Sequence, residues 1–174
     1  MFQGTNFKEP KGSAKVERLI RRLALKATED KSKAEVRRRD KRCRFPLCQC
    51  RKFGLQLHCA HSKHKGMGGN PKGERSAPEL MVYVCSARHR ENRMAIDRGT
   101  VRWRPLTEYG ANGPIAWELE GEALQPFGSA VNLAGDVFVP HGWVEVARET
   151  AVGVLAPLAD WQRKTLRALA AMRL

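Results

Sequence analysis

The sequence predicts an α+β protein with a basic N-terminal helix, a small strand–loop–strand–helix module braced by cysteines, and a C-terminal extension of β-hairpins and a closing helix. Three observations predict it. Val16, Leu19, Ile20 and Leu23 recur at helical spacing among basic residues. Leu55, Leu57 and Cys59 alternate with Gln56, His58 and Ala60, and a second apolar run, "ELMVYVC", follows after a glycine-containing loop. Val101 and Trp103 alternate with Arg102 and Arg104, and Ile115, Trp117 and Leu119 alternate with Ala116, Glu118 and Glu120 across the turn-rich "EYGANGP".

Taken in order, residues 1 to 12 are polar with Gly and Pro and predict a flexible tail. "SAKVERLIRRLALKATEDK" is an amphipathic basic helix, and the charged "SKAEVRRRDKR" continues it as helix or arm. Residues 1–36 thus form a tail and basic arm, residues 37–104 a compact core, and residues 105–174 an extension. In the core, "LQLHCAH" is a strand that delivers His61 at its end, ahead of the loop "SKHKGMGGNP". "ELMVYVC" is its second strand, and "CSARHRENR" a short helix with His89 one turn after Cys85. In the extension, the 101–120 pattern predicts a hairpin and "VFVPHGWVEVARE" a further short pair of strands. Leu158, Trp161, Thr165, Leu169 and Met172 mark a final helix begun near Pro157.

The chain has 174 residues, of which 42% are hydrophobic, enough for one real core. Its formal charge of +14 departs from the near-neutral balance of an ordinary small enzyme and points to a polyanionic partner. The excess is polarised: residues 1 to 52 hold 17 Lys and Arg against 6 Asp and Glu, a net +11, and everything after holds a net +3. Arg18, Arg21, Arg22, Arg37, Arg38 and Arg39 are therefore expected to grip phosphates. No Asn or Gln accompanies them in "ERLIRRLALK" or "EVRRRDK" to read adenine, so binding should show little sequence preference. The N-terminus lacks an apolar run of signal-peptide length and no stretch approaches a membrane span, which predicts a soluble, cytoplasmic protein without a membrane partner. Its five cysteines are then read for metal rather than disulfides.

Four of them are Cys43, Cys48 and Cys50 in "CRFPLCQC" and Cys85 in "YVCSARHR". Thiolates from two separated knuckles can converge on a tetrahedral zinc and tie the start of a small module to its end. The spacing is not two close pairs, because Arg88 stands where the second knuckle would place another cysteine, and Cys50 could supply the missing thiolate. The other reading is four ordinary thiols.

"RDKRCRFPLC", "LHCAHSKHKGMGG" and "YVCSARHR" together resemble the HNH endonucleases, whose ββα-metal core has a knuckle cysteine, a histidine ending the first strand, a glycine pair in the loop and a cysteine-led helix start. The resemblance covers roughly residues 37 to 104, with Gly68 and Gly69 at the family distance after His61. It implies that His61 is the general base and His89 a metal ligand, and that products carry 5′-phosphate and 3′-hydroxyl ends. The family's ligand immediately before the base is replaced here by Ala60, so His58 would serve if a bulge redirected it. The family's orienting asparagine is replaced by Leu80, leaving Glu79 as a substitute. Asp97 is the remaining carboxylate ligand. A continuous helix would hold it about 12 Å from His89 along the axis, so the helix should end near Asn92 or Arg93 and the chain turn back, with Asn92 in reserve. His64 could touch phosphate from the loop, and His141 reads as structural.

These residue types suit phosphodiester hydrolysis, which needs a base near neutral pH and a divalent cation, Mg²⁺ or Mn²⁺, to offset charge on the phosphate. The expectation is a metal-dependent DNA endonuclease with one structural zinc. The rivals are a ββα scaffold that has lost catalysis, and a zinc-stabilised nucleic-acid-binding adaptor within a phage or bacterial assembly.

Overall fold

The computed structural model describes residues 12–62, 73–91, 93–124 and 142–171. Helix α1 (Gly12–Asp40) contains no proline and no internal glycine, and its arginines, lysines, leucines and alanines are strong helix formers. It runs unbroken through Val36, which is wholly buried. Lys41 ends it in the left-handed region at φ 54°. Arg37, Arg38 and Arg39 in the last turn complement the helix dipole. The side chain of Asp40 leaves the helix to accept the backbone N–H of Tyr83 at 2.8 Å.

Strand β1 (Leu57–His61) pairs antiparallel with β2 (Met81–Cys85), from Leu57 opposite Cys85 to His61 opposite Met81. A 3-10 turn at Cys50–Phe53, stopped by Gly54 at φ 63°, leads into β1. The chain leaves β2 through a π-helical turn, Ala87–Glu91, and a 3-10 turn, Ile96–Arg98. The expected short helix is thus a single wide turn.

The second sheet has four antiparallel strands in the order β3 (Val101–Pro105), β4 (Ile115–Glu120), β5 (Trp143–Ala151) and β6 (Val154–Leu155). Trp103 lies opposite Trp117, the hairpin expected from the alternation. Within the expected further pair of strands, the described part is one long strand, β5, which pairs with β4 across a register shift and turns back at Gly153 into β6. The earlier part of that stretch, "VFVPH", lies outside the described residues. A short helix, α2 (Gly121–Leu124), follows β4, and α3 (Asp160–Ala171) buries Thr165, Leu166, Leu169 and Ala170. Met172 lies outside the described residues.

One hydrophobic core joins the two sheets, running from Ala60, Val82 and Val84 through Met94 and Ile96 to Trp117, Leu124, Leu166 and Leu169. Phe45, from the segment after α1, meets the Trp117 ring edge-on at a centroid distance of 5.1 Å. A charged strut seals the same region. Arg44 donates to both carboxylate oxygens of Glu149, at 2.9 and 2.6 Å, and to the carbonyls of Ala111 and Gly113. It also pairs with Asp40 at 3.4 Å. On the outer face, burial opposes ionisation of Glu118, but hydrogen bonds from Arg104 and Arg102 outweigh it and hold the carboxyl below its usual range.

Candidate metal centre and neighbouring histidines

The turn Phe45–Cys48 closes with a Cys48 N–H to Phe45 carbonyl bond of 3.3 Å and places Leu47 at φ 53°. The same segment runs beside β2, because Arg44 N–H donates to the Tyr83 carbonyl at 2.8 Å and Cys85 N–H to Cys43 Sγ at 3.4 Å. This brings Cys43, Cys48, Cys50 and Cys85 together, with all four sulfurs within 4.8 Å of one another. Cys48 and Cys85 sulfurs are 3.7 Å apart. A tetrahedral zinc with Zn–S bonds of about 2.3 Å separates its sulfurs by roughly 3.8 Å, so the quartet fits that ion. Four soft sulfurs fill a tetrahedron and leave no position for water, so an ion held there would be structural. Cys59 stands apart, with its sulfur 3.8 Å from the Lys33 carbonyl.

Crowding sets the protonation of the sulfurs. Hydrogen bonds from Cys43 and Cys85 pull the Cys48 thiol down to about 4, and Cys43 brings Cys50 down to about 7. Contacts with Cys48, Cys50 and Cys85, together with burial, push Cys43 well up, and Cys85 is also raised. The metal-free quartet therefore holds at least one thiolate near neutral pH, and metal binding has to displace the remaining protons.

Arg88 supplies what the sequence left unexplained where another cysteine was expected. It is only 3% exposed, with its guanidinium 5.1 Å over the Phe45 ring. It donates to the Met94 carbonyl at 3.2 Å and to the Leu169 carbonyl in α3. Burial lowers its pKa, against an opposing pull from the sulfurs of Cys48, Cys85 and Cys43. Four thiolates around a Zn²⁺ would leave two negative charges, and Arg88 is a buried cation placed to offset part of them. An arginine inside a cysteine-led turn was the available signal; its burial was not legible.

The histidines assemble differently. His58 lies on β1 without a bulge, since its ladder with β2 is continuous. Its Nδ1 is 3.3 Å from Nδ1 of His89, with the rings edge-on at 78°. After Glu91 the chain turns back and carries Asp97 to 3.6 Å from His89 Nε2, longer than a hydrogen bond. His58 and Asp97 thus meet opposite nitrogens of one imidazole. The single site expected from His58, His89 and Asp97 is not assembled, because an imidazole ring cannot turn both nitrogens toward one ion. Among the described residues the cysteines form the one group of three or more such donors close enough to share a metal.

Two nitrogens bound to one ion at about 2.1 Å stand roughly 3.0 to 3.4 Å apart, so His58 and His89 suit a shared ion. Asp97 would then orient His89 from its other side. Burial lowers the pKa of His89 despite the opposing charge of Asp97, which favours the neutral ring that can donate a lone pair.

His61 stands at the end of β1 with Nδ1 2.7 Å from the backbone carbonyl of Arg75. A carbonyl only accepts, so Nδ1 carries the proton, and in the neutral ring Nε2 carries the lone pair. The orienting contact comes from backbone, which side-chain patterns cannot announce. His64, Gly68, Gly69, Asn92 and His141 lie outside the described residues.

Among the arginines expected to grip phosphate, Arg18, Arg21, Arg22, Arg37 and Arg38 are exposed. Arg39 is not available. Its five N–H donors go to both oxygens of Asp40, to the Pro78 and Met81 carbonyls and to Asn112 Oδ1. Arg39 therefore fastens α1 to β2 instead of binding phosphate.

Comparison with protein-family models, with curated proteins and with solved structures finds no match for this chain.

Proposed function

We propose that the protein is a metal-dependent endonuclease of HNH type that hydrolyses DNA, with His61 as general base and the cysteine quartet holding a structural zinc. The observation that carries this reading is the hydrogen bond from His61 Nδ1 to the Arg75 carbonyl, which leaves the lone pair on Nε2 of a histidine at the end of the strand that also carries His58, the partner of His89. An antiparallel strand pair followed at once by a helical turn, Ala87–Glu91, agrees with the ββα resemblance. The polarised charge agrees with a phosphate substrate.

In this reading His61 Nε2 takes a proton from water as the oxygen attacks phosphorus, and the 3′ oxygen leaves. A divalent cation held by His58 and His89 would offset charge on the phosphate and the departing oxygen. Asp97 faces the other nitrogen of His89 and would favour the tautomer protonated there, and exposed arginines of α1, Arg37 and Arg38 included, hold the backbone without reading bases.

One observation favours a second reading, a zinc-stabilised DNA-binding module without catalysis. Only two donors converge where the ion would sit, since Asp97 faces the far nitrogen of His89. Incubation of supercoiled plasmid with the zinc-loaded protein and Mg²⁺ or Mn²⁺ separates the two. Nicked or linear product that disappears in His61→Ala supports the nuclease. Intact plasmid that is nevertheless retarded on a gel supports the binder.

A further inference from the structure

The N-terminal half of α1 carries an apolar stripe that is exposed and turned away from the rest of the described residues. Val16, Leu19, Ile20 and Leu23 are 55 to 61% exposed. The body-facing side of the helix is marked by buried Val36 and by Leu25, whose Cδ2 would lie 3.2 Å from a Cβ added at Gly73. Successive helical residues turn by about 100°, so Arg18, Arg21 and Arg22 fall within about 60° of Leu25, whereas the four stripe residues fall roughly 120 to 180° from it. The stripe looks away from the body and the arginines look along it.

We infer that this stripe is a self-association seam, and that its occupant is the same stripe of a second copy of the chain. Val16, Ile20, Leu23 and Ala27 are spaced by four, three and four residues, the alternation with which two helices interlock side chains. The three arginines sit on the opposite face, so two stripes meet without bringing their strongest charges together. The rim holds Lys15 and Lys26 on one side and Glu17 on the other, too few cations to call for an acidic partner. A symmetric pair covers both stripes at once and leaves both arginine faces turned outward. The seam spans only about two heptads, so the dimer is weak, at the low end of interface size.

Sedimentation velocity on the zinc-loaded full chain, from about 1 to 100 µM in high salt, tests this without reference to nuclease activity. Wild type should shift from monomer to dimer across that range. The double variant I20E/L23E should weaken association by at least about tenfold, because it forces carboxylates into the apolar seam. Its helical circular dichroism, melting temperature and zinc content should match wild type, since neither residue touches the body. Arg22→Ala, on the opposite face, should dimerise as wild type does. A wild type that stays monomeric throughout overturns the inference, whether the stripe is covered by another part of the same chain or by a different protein. A dimer indifferent to I20E/L23E overturns it as well.

Discussion

The cysteine quartet and the three described histidines of the same small module, His58, His61 and His89, are both sets of metal-seeking side chains, yet they are built on opposite principles. The cysteine sulfurs crowd within 4.8 Å, on segments fastened by backbone hydrogen bonds to β2, with a buried arginine against them. Of the described histidines, His58 and His89 meet as one pair, with Asp97 on the opposite nitrogen of His89, while His61 meets the backbone carbonyl of Arg75. A closed set of soft donors holds a fold together. A pair of nitrogens is an incomplete set, which would leave coordination positions on an ion open where a closed quartet leaves none.

The sharpest way to break this contrast is to remove one sulfur. Cys85→Ser should abolish stoichiometric zinc and unfold the chain, because apparent zinc binding of about 10–16 kcal/mol is comparable to the whole stability of a domain. Metal analysis and circular dichroism check this; a folded, zinc-free variant would make the quartet ordinary thiols.

On the histidine side, His61→Ala should lower plasmid cleavage by about 10²- to 10⁴-fold. Zinc content and melting temperature should stay at wild-type values, since the ring sits at the strand's end. An equal loss of stability would make His61 a structural residue.

Arg88→Met tests whether the cation belongs to the cysteine side. It leaves the Met94 and Leu169 carbonyls without their donor and the sulfurs without a neighbouring positive charge, at a cost of about 2–4 kcal/mol in urea unfolding. Neighbouring arginines should separate in the same way. Arg38→Ala should reduce the slope of log affinity against log salt by about 0.9, whereas Arg39→Ala should leave the slope unchanged and destabilise the protein by about 1–3 kcal/mol.

The smallest effect concerns His89, whose pKa burial depresses below the ordinary value of about 6.5. The unfolded chain then binds a proton more readily than the folded one, so the neutral ring contributes stability above about pH 6.5. That contribution is lost as pH falls through the lowered folded value. Thermal melts between pH 7.5 and 5 should show a steeper decline for wild type than for His89→Gln, which cannot titrate. Identical declines would remove His89 as the source.

Much of the chain was legible because its signals are local. The spacing of Val16 to Leu23, the alternation at Leu57 to His61 and the Val101–Trp103 and Ile115–Leu119 patterns each report the backbone geometry of one segment, and α1, β1, β3 and β4 occur there. The set of Cys43, Cys48, Cys50 and Cys85 was also readable, since a module with few apolar residues between two cysteine groups has a physical use for a bridging metal. The return of the chain after Glu91 was expected from helix length together with a metal shared by His89 and Asp97; the chain does turn back, but it brings Asp97 to the nitrogen of His89 away from His58.

By itself, then, the sequence determined which segments are helix or strand, where the positive charge lies and which residue types are able to bind metal. Only the tertiary structure decided which of two adjacent arginines stays exposed and which is consumed, because Arg39 meets carbonyls about forty residues away, as Arg44 meets Glu149 across 105 positions. It also decided that His58 and Asp97 approach different nitrogens of His89, and that a backbone carbonyl selects the tautomer of His61. Periodicity reports the face on which a side chain leaves its own element. The atom it then meets depends on how distant elements pack, and no local pattern encodes that.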